Sequence, residues 1–148
     1  MIIIFKSLNM KNIKAERKIA NLFKHISHPA RIRILIAIGD GESCVCHLEA
    51  ALGYRQAYIS QQLMELRKAK ILMTSREGRY IFYHLNNVQL LEIIRTTAIV
   101  LGINLKDFEN LSSPNLISHC CCPKCSTIHN SSDISEDFIL LERKKCLQ

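Results

Sequence analysis

Residues 43–85, SCVCHLEAALGYRQAYISQQLMELRKAKILMTSREGRYIFYHL, decide the fold of this 148-residue chain. Ser43 is a candidate N-cap for a helix over residues 44–52, and Gly53 supplies the tight turn after it. Residues 55–70 form a second helix that turns Ile59, Leu63 and Leu66 to one side. At Ile71 the apolar period shortens, so residues 71–75 and 79–85 are predicted to pair as a hairpin around Glu77-Gly78, with Arg76 and Arg79 at a basic tip. Helix, turn, helix and hairpin in that order predict a winged helix-turn-helix.

The flanks extend this unit. Upstream, Ile13, Ile19, Leu22, Phe23 and Ile26 make one apolar face of a helix over residues 10–26. Ser27-His28-Pro29 breaks it, Pro29 opens a helix over residues 30–38 with Ile32, Leu35 and Ile36 aligned, and Gly39-Asp40-Gly41 ends that one. Downstream, residues 88–101 are helical, with apolar positions over more of the circumference than one core contact needs, which predicts a dimer interface. The expected fold is α+β and mostly helical, in the order α-α-α-α-β-β-α, followed by a Cys-rich C-terminal tail. Residues 10–102 are the folded unit and residues 103–148 the tail, Ser/Asn-rich with a short apolar helix expected at residues 138–141. Residues 1–9 are an N-terminal extension, expected to be disordered, or an artefact if Met10 is the true start.

Charge is unevenly placed. The net charge is +7, with 15 Lys and Arg against 7 Asp and Glu in residues 1–102 and 5 against 6 in residues 103–148. A solvated surface explains scattered lysines, but an excess concentrated in one globular segment favours a polyanionic partner. The apolar run at residues 1–5 is too short for a signal sequence, and no stretch reaches membrane-spanning length, so the expected location is the cytoplasm. In that reducing setting seven cysteines read as thiols or metal ligands rather than as a disulfide framework. There is no phosphate-binding loop and no nucleophile motif, which argues against an enzyme.

Four blocks, His28-Pro29-Ala30-Arg31-Ile32-Arg33-Ile34-Leu35, Glu42-Ser43-Cys44-Val45-Cys46-His47-Leu48, Gln56-Ala57-Tyr58-Ile59-Ser60-Gln61-Gln62-Leu63 and Arg76-Glu77-Gly78-Arg79-Tyr80-Ile81-Phe82-Tyr83, occur in an order that resembles the ArsR/SmtB family of metal-responsive winged-helix repressors. The resemblance covers roughly residues 16–102. It implies a homodimer that packs through its first and last helices, binds an inverted-repeat operator in double-stranded DNA, and releases it when metal arrives.

Side-chain chemistry agrees with that implication. Amides read adenine edges and cations hold phosphates, so Gln56, Tyr58, Ser60 and Gln61 are the candidates for base contact. Arg55, Arg67 and Lys68 on the same helix, with Arg76 and Arg79 on the wing, are the candidates for the backbone. A polar helix seen alone is more simply a solvated face; the adjoining turn and wing tip the balance.

Cys44 and Cys46 are i and i+2, about 200° apart on a regular helix, and reach one ion only if they sit at a helix start where the first residue is not yet helical. The plainer alternative is that one is a small buried apolar residue and the other reactive. Two thiolates do not complete a soft-metal site. Within the resemblance, the arsenic-responsive branch places a third cysteine one turn on, where this chain has Glu49. The cadmium/lead branch draws on cysteines before the pair, and there are none. The Asp/His zinc site of the last helix is absent from residues 87–102.

The other donors are in the tail, at His119-Cys120-Cys121-Cys122-Pro123-Lys124-Cys125, where Cys122 and Cys125 have the two-residue gap of a zinc knuckle. The expected site joins Cys44 and Cys46 with Cys120, Cys122 and Cys125, from the same subunit or its partner, around Zn(II), Cd(II), Pb(II), Cu(I) or As(III). Two separate sites are the competing arrangement. The functional expectation is a repressor that senses a soft metal or metalloid. A thiol redox or persulfide sensor on the same scaffold is the alternative, and an adaptor that does not bind DNA is a more distant one.

Overall fold

The computed structural model describes residues 2–104, Lys106 and Cys122. Its elements run α1 Ile2–Ile26, α2 Pro29–Ile38, β1 Glu42–Cys44, α3 Val45–Leu52, α4 Gln56–Lys68, β2 Leu72–Glu77, β3 Tyr80–Leu85 and α5 Gln89–Val100. This is the winged helix-turn-helix anticipated, with one strand added. Among the described residues no helix is long and apolar enough to cross a membrane. The expected helix at residues 138–141 lies outside the described residues.

Several boundaries moved for identifiable reasons. Helix α1 begins at Ile2 rather than at residue 10, and neither glycine nor proline interrupts the chain before Pro29. His28 caps α2, its Nδ1 accepting from the Ala30 amide at 3.2 Å, while Pro29 occupies the first turn. The cap of α3 is Cys44 and not Ser43, because residues 42–44 are drawn into the sheet and the helix starts only after them. The wing turn is Gly78-Arg79, with β2 and β3 in register from Leu72↔Leu85 to Glu77↔Tyr80. Gly78 takes the positive φ of 57° that a two-residue hairpin demands.

Strand order is β1-β3-β2, all antiparallel. Residues opposite one another share a face of a sheet, and successive residues alternate. Leu85, Tyr83 and Leu72 therefore point together into the main core, which also holds Ile34 and Leu35 of α2, Leu48 of α3 and Ile59, Leu63 and Leu66 of α4. Phe82, Tyr80 and Cys44 occupy the opposite face, away from that core. The sheet thus separates a helical core from a small second cluster.

Arg31 ties three helices together. Its Nε donates to Gln62 Oε1 on α4 and its Nη1 to the His25 carbonyl at the end of α1, both at 2.9 Å. Gln62 is buried, so its amide has no easy recourse to water. Arg31→Met is expected to lower stability by about 1–3 kcal/mol, the cost of stranding a buried polar group. Urea denaturation measures it, and an unchanged midpoint would show that the clamp is dispensable.

Candidate metal centre and nucleic-acid interface

The sulfur site begins with the short strand β1. Cys44 ends it in an extended conformation, φ −86° and ψ 168°, and serves as the N-cap of α3, while Cys46 lies in the first helical turn. This non-helical residue removes the angular conflict of an i, i+2 pair, and the two Sγ atoms lie 2.8 Å apart. The His47 amide donates to Cys44 Sγ at 3.3 Å, as a cap requires. Cys122 of the tail comes to the same place: the three Sγ atoms all lie within 4.8 Å of one another.

The surroundings are dry. Cys44 and Cys122 are 2% and 1% exposed, and Cys46 is half-buried. Phe82, itself fully buried, packs in this cluster, with Tyr80 and Ala50 partly buried around it. His47 is also half-buried, and burial holds its imidazole below the ordinary histidine range while Cys46 pulls it the other way. Glu49, at the position of the missing third thiol, is exposed.

The donor set fits a thiophilic ion. Metal–sulfur bonds of ~2.3 Å in a tetrahedron set sulfurs roughly 3.8 Å apart. The Cys44–Cys46 pair is closer than that and no pair in the trio exceeds 4.8 Å, so small side-chain rotations bring all three onto one centre. Of the tail thiols expected at the site, the structure brings Cys122; Cys120 and Cys125 lie outside the described residues. Phe82 was not anticipated as its wall, nor Tyr80 as the next ring along the strand, outside the donor set. Their alternation with Ile81 along the strand was the available signal, but it does not reveal what the sheet face meets.

On α4 the buried side is Ile59, Gln62, Leu63 and Leu66. Arg55, Gln56, Gln61, Arg67 and Lys68 are exposed, and Tyr58 and Ser60 are half-buried. The Tyr58 ring meets Tyr54 edge-on at 5.5 Å. Arg33 of α2 lies over Tyr54, 5.9 Å from its centroid, and donates to its hydroxyl at 3.4 Å. Sequence reasoning passed over Arg33, although it brings a cation beside the aromatic pair. Lys68 pairs with Glu65 at 2.9 Å, and this hydrogen bond, then the charge itself, holds the exposed Glu65 carboxyl below its usual range. At the wing tip, Arg76 Nε donates to the Gly78 carbonyl at 3.0 Å, and Arg79 donates to the Tyr80 hydroxyl at 3.1 Å.

A third surface is apolar. Ile19 and Phe23 of α1, Ile99 and Val100 of α5, and Leu101 after it are exposed, the last two at 79% and 68%. A cavity of about 410 Å³ opens between α1, α2 and α5, lined by residues that include Phe23, Ile36, Ile93 and Leu101.

Comparison with known proteins places this geometry. The family model for "Bacterial regulatory protein, arsR family" matches residues 28–73. The chain is 44% identical over 72 residues to the biofilm growth-associated repressor of Agrobacterium fabrum, covering 49% of this chain and 62% of that protein. It is 41% identical over 66 residues to an arsenic resistance transcriptional regulator of Pseudomonas putida, covering 44% and 52%. In both cases the match spans less than two thirds of the relative. The crystal structure of the transcriptional repressor BigR from Xylella fastidiosa superposes with a TM-score of 0.56 at 32% identity, over 62% of this chain and 94% of that one.

Proposed function

The chain belongs to the ArsR/SmtB family of bacterial transcriptional regulators, and from that premise we propose that it is a cytoplasmic repressor whose homodimer holds an inverted-repeat operator and releases it when a soft metal or metalloid ion binds Cys44, Cys46 and Cys122. The observation that carries the sensing half is the approach of three thiols to within 4.8 Å in a buried pocket. Gln56, Tyr58, Ser60 and Gln61 read bases, and Arg55, Arg67, Lys68, Arg76 and Arg79 hold phosphates. The exposed apolar residues of α1 and α5 supply the dimer contact, and two-fold symmetry then pairs the recognition helices with two half-sites.

Energetics permit the switch. Shifting operator affinity by two decades takes about 2.7 kcal/mol of preference for the released form, against roughly 10–16 kcal/mol for binding at a thiolate-rich site. Three sulfurs, with no carboxylate or imidazole grouped with them among the described residues, favour the softest ions. Trivalent arsenic, which bonds three thiolates, is the first candidate, in keeping with the name of the Pseudomonas putida relative.

The test is a titration of the full chain bound to fluorescent DNA from its own promoter with arsenite, cadmium(II) and zinc(II) under reducing conditions. Arsenite or cadmium is expected to weaken binding by about a hundredfold. Weakening by none of the three would overturn the sensing assignment, and absence of salt-sensitive, sequence-selective binding would overturn the repressor. The Cys44–Cys46 separation of 2.8 Å supports thiol oxidation as a second reading. Release by a persulfide or peroxide, with no release by any ion, would select it.

A further inference from the structure

The packing partners of the sulfur cluster lie in β1, α3 and β3; among the described residues none lies in the recognition helix α4. Cys44 is directly opposite Phe82 in the β1–β3 ladder, so the two share a sheet face and a hydrogen-bonded frame. Two residues along β3 on that face stands Tyr80, its ring 6.5 Å from that of Phe82 and tilted by 38°. The next residue in the hairpin turn is Arg79, whose guanidinium lies 5.2 Å from the Tyr80 centroid and donates to the Tyr80 hydroxyl at 3.1 Å. Aromatic contacts lead unbroken from buried sulfur to a cation on the wing.

The geometry points to Phe82 and Tyr80 as positioning residues that transmit the state of the Cys44–Cys46–Cys122 cluster to Arg79, so that the wing loosens its hold on DNA when the three sulfurs close on one centre. This rests on the reading of those thiols as an ion site. Phe82 is 1% exposed, and a close-packed ring has no slack to absorb the rearrangement of two sulfurs beside it. It must shift with them. Tyr80, half-buried at the rim, follows Phe82 and takes with it the guanidinium that both stacks on its ring and bonds its hydroxyl.

The experiment uses the full chain and cadmium(II), whose bonds to thiolate absorb in the ultraviolet and report binding directly. Tyr80→Leu is expected to bind cadmium within about threefold of the parent, while the cadmium-induced weakening of operator affinity falls to about a tenth of the parent's. Tyr80→Phe, which keeps the ring, should retain most of that weakening. Independently of DNA, amide hydrogen exchange in residues 76–81 should change on adding cadmium to the parent and not to Tyr80→Leu. A Tyr80→Leu protein that responds like the parent overturns the relay, as does one that loses cadmium affinity, which would make Tyr80 only a wall of the site. Parent hairpin exchange indifferent to cadmium also overturns it. If bound cadmium leaves parent operator affinity unchanged, the ion-sensing reading itself has failed, before any variant is compared.

Discussion

Replacing Cys122 with alanine is expected to lower the affinity for arsenite or cadmium by about a hundredfold or more while the ion-free protein still binds its operator. Four-ligand zinc-finger sites worth roughly 10–16 kcal/mol place about 3 kcal/mol on each ligand, so losing one of three thiolates costs about two decades or more. Cys122 belongs to the tail, outside the helix-turn-helix, so its removal separates sensing from DNA binding in a way that changes to Cys44 do not. Cys44 also caps α3 and pairs with Phe82 in the sheet. Thiolate absorbance and operator anisotropy, measured on the same samples, report the two effects. Undiminished ion affinity in Cys122→Ala would show that the third donor lies elsewhere and that the thiol trio is incidental packing.

Leu63→Ala should cost about 2–5 kcal/mol of folding free energy, the range for removing a large aliphatic side chain from a sealed core. Leu63 is wholly buried and lies in the core shared by α2, α3, α4 and the sheet, on the side of the recognition helix opposite the solvent. Its truncation leaves a cavity beneath the helix that presents Gln56 and Gln61. Urea unfolding followed by circular dichroism should show an earlier midpoint with little change of slope. A loss under about 1 kcal/mol would mean that the neighbouring leucines collapse into the gap and that the recognition helix is not anchored there.

Both predictions depend on features of different legibility. The helices carrying the main core were readable because each repeats its apolar positions at helical spacing: Ile59, Leu63 and Leu66 align within one element, whatever lies across from them. The hairpin was readable because Gly78 and the switch to period two are local signals. Strand β1 was not. Three residues, Glu42, Ser43 and Cys44, are too few to show any period, and they are extended because β3 offers them a ladder.

Local chemistry written along the chain therefore determined the order of helices, the turn before α4, the basic wing and the need for thiols at a helix start. Tertiary structure alone decided that β1 would dock on β3, that Cys44 would consequently cap α3 in an extended conformation, and that Phe82 would pack against Cys44 and Cys122 where they meet, a meeting that the sequence itself predicts. The physical reason is distance along the chain. Periodicity and capping act within a few residues, whereas sulfur atoms from residues 44 and 122 come within bonding reach of one ion only after the sheet has formed between them and the helical core.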